Sequence, residues 1–148
     1  MKLRGFPHCC HFLSIDLLEI MKGKFDLDER LIAFAAAIIE LAEQLPNTIA
    51  GRHIMGQMVR SGSAPALHYG EAQGAESRAD FKHKMKVALK ELRETFNALR
   101  IVMKMKWVPK EKLLPLLDEN NQLISIFVTS ITTAQKNDEL EKRKKTGT

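Results

Sequence analysis

The chain predicts an all-α fold, a four-helix bundle in up-down-up-down antiparallel order. Two observations carry this reading. Apolar residues recur at alternating intervals of three and four along separate stretches, which is the helical period. Short breaks holding Pro, Gly, Asn or Ser separate these stretches, and short connections between long helices favour antiparallel neighbours. The length of 148 residues suits one domain with a single core, and no internal repeat or long polar linker divides it.

Residues 1–20 read differently from the rest. Lys2 and Arg4 precede apolar residues, but Pro7, His8, His11, Asp16 and Glu19 interrupt the apolar run a signal peptide requires. His8, Cys9, Cys10 and His11 are metal-binding types at the wrong spacing, because four successive residues do not converge on one tetrahedral ion. Met21 opens a plausible native start. Residues 1–20 are therefore expected to be a disordered extension or an upstream start, residues 21–137 the bundle, and residues 138–148 a charged, frayed tail.

The first helix shows its stripe most plainly. Leu27, Leu31, Phe34, Ile38, Leu41 and Leu45 fall on one side, with Asp26 or Asp28 as cap and Pro46-Asn47 as the stop. The second helix, from about Thr48 to Gln73, is rich in small residues: Gly51, Gly56, Ser61, Gly62, Ser63, Ala64 and Ala66. These lower helix propensity where they are Gly or Ser, and they let a neighbouring helix come close. Pro65 lies inside this helix and predicts a kink or local break.

Ser77 starts the third helix as a cap, with Asp80 placed to reach back. Its apolar stripe is Phe81, Met85, Ala88, Leu89, Leu92, Phe96, Leu99 and Met103, and it is expected to end near Lys106, before Pro109. The fourth helix carries Leu113, Leu117, Ile124, Phe127, Val128, Ile131 and Ala134. Pro115 either starts its main part or kinks it, and after Asn137 the stripe is lost.

Composition excludes more than it assigns. There are 23 Lys plus Arg against 18 Asp plus Glu, a formal net charge of +5, which is compatible with an anionic partner. The two cysteines are adjacent, so they cannot frame a fold of this size, and the cysteine-free body fits a reducing, cytoplasmic setting. No apolar run approaches the ~18 residues of a membrane span. The body offers no cysteine nucleophile, no phosphate-binding glycine loop before a helix and no Glu-x-x-His di-metal pattern. The expectation is a non-enzymatic protein with no cofactor, no metal and no small-molecule substrate.

The run QMVRSGSAPALHYGEAQGAESRADF, followed by HKMKVALKELRETFNALR, resembles a family signature. The family comprises four-helix bundle proteins encoded in intervening sequences of bacterial 23S ribosomal RNA genes. The resemblance covers about Phe25 to Asn137 and departs from the family at His68, where Asn is usual. It implies a left-handed bundle that associates as a homopentamer. A related group works beside the reverse transcriptase of diversity-generating retroelements and is thought to bind RNA, so the resemblance also implies structured RNA as a partner.

The residues add a pattern of their own. At ~100° per residue, Arg78, Lys82, Lys86, Lys90, Arg93, Arg100 and Lys104 share a sector about 120° wide beside the apolar stripe. Such a row can follow phosphates. The same row also fits a solvated face, or one matched by acids of neighbouring helices or subunits. A second set, Arg60, His68, Tyr69, Glu71, Glu76 and Arg78, surrounds the corner between the second and third helices. There Glu71 is expected to pair with Arg78 above Tyr69, as a polar clamp, a subunit contact or a binding pocket.

Overall fold

The computed structural model describes residues 26–145, and among them every regular element is an α-helix. In chain order these are α1 Leu27–Ala42, α2 Ile49–Gln73, α3 Arg78–Met105 and α4 Lys110–Lys145. The extension expected over residues 1–20 lies outside the described residues.

The first three helices begin where a side chain satisfies free amides. The Asp26 carboxylate accepts from the backbone N–H of Asp28 at 3.1 Å and of Glu29 at 3.4 Å. Thr48 Oγ1 accepts from Gly51 N at 3.1 Å, and Ser77 Oγ from Asp80 N at 3.1 Å. Asp80 returns no bond to its cap. Its carboxylate lies 3.9 Å from Lys84 instead. The end of α3 was not foreseeable in kind: Lys106 takes the left-handed conformation at φ 55°, a position that usually calls for glycine.

The core follows the expected stripe of α1 without exception. Leu27, Leu31, Phe34, Ile38, Leu41 and Leu45 are all buried. On α3, Met85, Ala88, Leu89, Leu92 and Leu99 are buried as expected, joined by Ala98 and Val102. Each large apolar side chain so enclosed contributes about 1.5–3 kcal/mol. On α4 the stripe is corrected by one position. Leu116 and Leu123 face the core with Leu113, Phe127 and Ile131, whereas Leu117 and Ile124 are half-buried and Val128 is exposed. Adjacent apolar pairs, Leu116-Leu117 and Leu123-Ile124, leave the face ambiguous in the sequence, and packing decides it.

Small residues in α2 do admit a close neighbour. A Cβ at Gly62 would lie 2.4 Å from Ile38 Cγ2 and 2.9 Å from its Cβ. Gly56 and Gly70 face open space, so close approach is not their reason. Pro65 neither interrupts α2 nor leaves the interior; it is buried within a continuous helix held on both flanks by α1 and α3. Pro115 likewise sits inside α4, in its second turn.

Neighbours follow chain order. α1 packs on α2, α2 on α3 and α3 on α4, and a thinner α1–α4 seam closes the bundle. α1 and α3 stand across the core from each other without touching backbone to backbone, as do α2 and α4. Tyr69 and Phe127 reach across, their rings edge to face with centroids 6.1 Å apart. The thin seam is fastened by Arg30, whose guanidinium meets both Glu119 oxygens at 3.0 and 2.9 Å and Gln122 at 3.2 Å. Beside it Asn120 is fully buried, and neither atom of its amide meets a hydrogen-bond partner among the described residues.

The tail corrects the expectation of fraying. α4 runs on to Lys145, and its last turns lie along the start of α3. Asp138 and Glu141 hold it there through Arg78 and Lys82. The loss of apolar period after Asn137 is real, and ion pairs replace it.

Candidate nucleic-acid interface

The seven cations read as one row divide into two groups. Arg78 meets Glu141 at 2.5 Å and Asp138 at 3.7 Å, and Lys82 makes a short contact with the same Asp138 carboxylate. The Lys82 hydrogen bond holds the Asp138 carboxyl below the ordinary carboxylate range, against a smaller opposing effect of burial. Glu141 raises the Arg78 guanidinium further above its usual value. These two cations belong to the α3–α4 contact.

Lys86, Lys90, Arg93, Arg100 and Lys104 are exposed, and none forms an ion pair among the described residues. They lie on an exposed side of α3, turned roughly 120° from Met85, Leu92 and Leu99. From Lys86 to Lys104 the row extends ~27 Å at 1.5 Å per residue. Arg100 lies over the Phe96 ring, 5.9 Å from its centroid. A shallow groove of about 320 Å³ lies at this end, lined by Asn97, Arg100, Ile101, Met103, Lys104 and Met105. Cations free of internal partners can exchange counterions for phosphates without first breaking a bond in the protein.

The corner set is not one cluster. Arg60 stands on α2 well before the corner and joins α2 to α3 by meeting Glu91 at 2.9 Å and, in a short contact, Glu94, while Gln57 of its own helix accepts at 3.1 Å. The Glu94 hydrogen bond and the Glu91 charge raise its pKa. Glu71 does not reach Arg78. Its Oε2 lies 3.1 Å from Lys84 Nζ and 3.7 Å from His68 Nδ1. The Lys84 bond holds the Glu71 carboxyl low, and Glu71 in turn raises the Lys84 ammonium. Arg78 is drawn instead to α4, which supplies two carboxylates where the corner supplies one.

Tyr69 does pack beneath, on Phe127. Burial raises its phenol, with the Asp28 and Asp26 carboxylates adding to the shift. Glu76 is exposed and forms no ion pair among the described residues. Sequence reasoning missed Arg30, Glu119, Gln122 and Asn120. No motif marks them; the one available signal was that Glu119 and Asn120 fall between the core positions Leu116 and Leu123.

Among the described residues no group of three or more His, Cys, Asp or Glu could hold a metal ion, and no helix is long and apolar enough to cross a membrane. With fold and faces in place, the comparisons decide the family. Residues 24–129 match the 23S rRNA-intervening sequence protein family. The chain belongs to this family. A similar solved structure is that of a protein of unknown function from the S23 ribosomal protein family of Bacteroides thetaiotaomicron VPI-5482. It is 26% identical, with a TM-score of 0.67, covering 72% of this chain and 98% of that one. No curated protein matches. As a 23S rRNA-intervening sequence protein, the chain keeps the family's four-helix framework while carrying His68 at the corner, half-buried beside Glu71.

Proposed function

We propose that this protein is a non-enzymatic, cytoplasmic, homo-oligomeric bundle that binds structured RNA, or an RNA–protein complex, through phosphates along the outward side of α3. One observation carries the reading. Lys86, Lys90, Arg93, Arg100 and Lys104 line one exposed face, and among the described residues no carboxylate pairs with them. The family's name, which ties it to intervening sequences of 23S rRNA, supports RNA as the first polyanion to try. Contacts of this kind recognise the backbone and its shape rather than base sequence, since lysine and arginine on phosphate carry no sequence information. The homopentamer implied by the family resemblance would repeat the face around a ring.

A fluorescence-anisotropy titration of a labelled ribosomal RNA fragment across a salt series tests the reading. Five phosphate contacts predict a log–log slope of magnitude roughly 3.5–4.5. The triple variant Lys86→Glu, Lys90→Glu, Arg93→Glu is expected to lower that slope by about 2–3 and to abolish binding at moderate salt. Absence of binding at low salt by the folded wild-type protein would overturn it.

A second reading, a structural oligomer that scaffolds a protein partner, is favoured by α2. Its exposed side bears the apolar side chains Ile49 and Leu67 and the side-chain-free Gly56 and Gly70, with Arg52, His53 and Arg60 exposed beside them. Binding there would resist salt, which separates the two readings.

A further inference from the structure

The cation row of α3 ends beside side chains that phosphate binding does not use. Asn97, Ile101 and Met105 recur every four residues, so they line one side of the helix, next to Arg100 and Lys104. All five are exposed, and Ile101 and Met105 stand 45% and 51% open to solvent. Together with Met103 they line the shallow groove of about 320 Å³. Such a volume lies at the lower limit of small-ligand sites, roughly 300–1,000 Å³, which suits one flat ring system and is too small for a partner helix.

Three features of the groove match a nucleobase. Ile101 and Met105 give it apolar surface for the face of a ring. Arg100 is shared between the groove and the Phe96 ring, whose centroid lies 5.9 Å from the guanidinium carbon. A planar guanidinium backed by a ring is a platform on which an unstacked base can lie. Asn97 has no hydrogen-bond partner among the described residues, and its amide sets a donor beside an acceptor. That pair complements the N6 amino group and N7 of adenine.

The setting decides what carries the base. Lys86, Lys90 and Arg93 precede the groove on the same helix and form no ion pair among the described residues. Arg93 stands only ~12 Å along the helix from Ile101, so a strand whose phosphates lie on these cations passes beside the groove. A base inside a duplex cannot enter, because its faces are stacked and its pairing edge is occupied. Bulges and loops let a base turn out. An anion without a ring would leave Ile101 and Met105 without a role, and an uncharged apolar ligand would leave the cations without one.

We infer that the α3 face takes RNA at a bulge or loop: one unpaired base, adenine in preference, lies in the groove against Arg100, Ile101 and Met105, while Lys86, Lys90 and Arg93 hold the flanking phosphates. The inference rests on the RNA reading and narrows it from any structured RNA to one that offers an unpaired base.

Fluorescence anisotropy with three labelled RNAs, titrated with the full chain across a salt series, provides the test. The probes are a perfect duplex, the same duplex with one bulged adenosine, and the same with an abasic nucleotide at the bulge. The last two carry equal numbers of phosphates, so they share a salt slope and differ only by the base. The adenosine bulge is expected to bind at least about fivefold tighter than the abasic one. Arg100→Lys keeps the charge and loses the plane, and Ile101→Ser removes apolar surface at an exposed position. Each should erase that preference while leaving the salt slope and the affinity for perfect duplex unchanged. Circular dichroism and gel filtration check fold and assembly.

Equal affinity for the adenosine and abasic bulges, with a steep salt slope throughout, overturns the inference and leaves the phosphate reading standing; the groove then falls to a protein partner. A preference that survives both variants overturns it as well, by placing the base elsewhere. So does a shift of Ile101→Ser to a smaller species in gel filtration, which would put the groove between copies. Absence of binding to all three RNAs at low salt overturns both readings together.

Discussion

Arg30, Arg60, Arg78, Lys82 and Lys84 each reach a carboxylate on another helix; Lys86, Lys90, Arg93, Arg100 and Lys104 reach none. The two groups do not differ in residue type. They differ in what stands opposite. Each cation of the first group stands where a neighbouring helix presents a carboxylate within reach. Those of the second stand along α3 where, among the described residues, no neighbouring helix does so. A cation of the first kind is part of the fold, and one of the second kind is available. Substitutions should therefore separate stability from binding along this division.

The largest effect is expected at Arg30. Its side chain is 11% exposed and that of Glu119 3%, so Arg30→Ala leaves a carboxylate buried without its partner. Breaking a buried pair from one side costs about 3–5 kcal/mol. Urea denaturation should show a midpoint lowered accordingly. A change as small as that of an exposed lysine would erase the distinction at its strongest point.

Next in size is the docking of the α4 tail. Arg78→Glu with Lys82→Glu sets two carboxylates against Asp138 and Glu141, so like charges replace all three bridges. Hydrogen exchange from about residue 136 to residue 145 should quicken markedly while the α1–α2 amides keep their protection. RNA binding should change far less than in the Lys86, Lys90, Arg93 triple variant. Equal losses of RNA affinity from both variants would mean that all seven cations act as one row after all.

Acid should detach the same tail without mutation. The Asp138 carboxyl is held low by Lys82, so its stabilising effect is fully present above the ordinary carboxylate value. It is lost as pH falls through the lower native value. Helicity of the last turns should therefore persist at pH 5 and decline below about pH 4. Loss beginning near neutrality would show that another group, not Asp138, holds the tail.

Much of this division was hidden in the sequence for a definite reason. Periodicity reports which way a side chain points from its own helix axis, and it placed Leu27, Leu31, Phe34, Ile38, Leu41 and Leu45 in the core, where Ala35 and Ala42 join them. It could not separate Leu116 from Leu117, where adjacent apolar residues satisfy either face. Nor could it separate Lys82 from Arg100. These are 18 residues apart, about five turns, and so point the same way. Only the antiparallel pairing with α4 distinguishes them, because Asp138 faces the first and the α4 residues beside the second carry no carboxylate in reach. The Glu71–Arg78 expectation failed similarly: sequence proximity favoured a local pair, and a distant helix offered Arg78 two acids. The family signature from residue 57 to residue 100 was legible because it is long, but it says nothing of which cations are free.

The smallest expected effect is also the most exacting. Lys86→Ala, Lys90→Ala and Arg93→Ala, singly or together, remove charge where no protein atom depends on it. Each should change stability by no more than about 0.5 kcal/mol, the range for surface sites without a structural feature. The triple change should even raise stability slightly at low salt. It removes mutual repulsion among side chains one turn apart, where like charges on a helix cost a few tenths of a kcal/mol per pair. That gain should vanish at high salt, since exposed charges beyond a Debye length of ~3 Å at 1 M are screened. A stability loss of 1 kcal/mol or more would instead mean that this face is already in contact with something in the protein as it exists in solution.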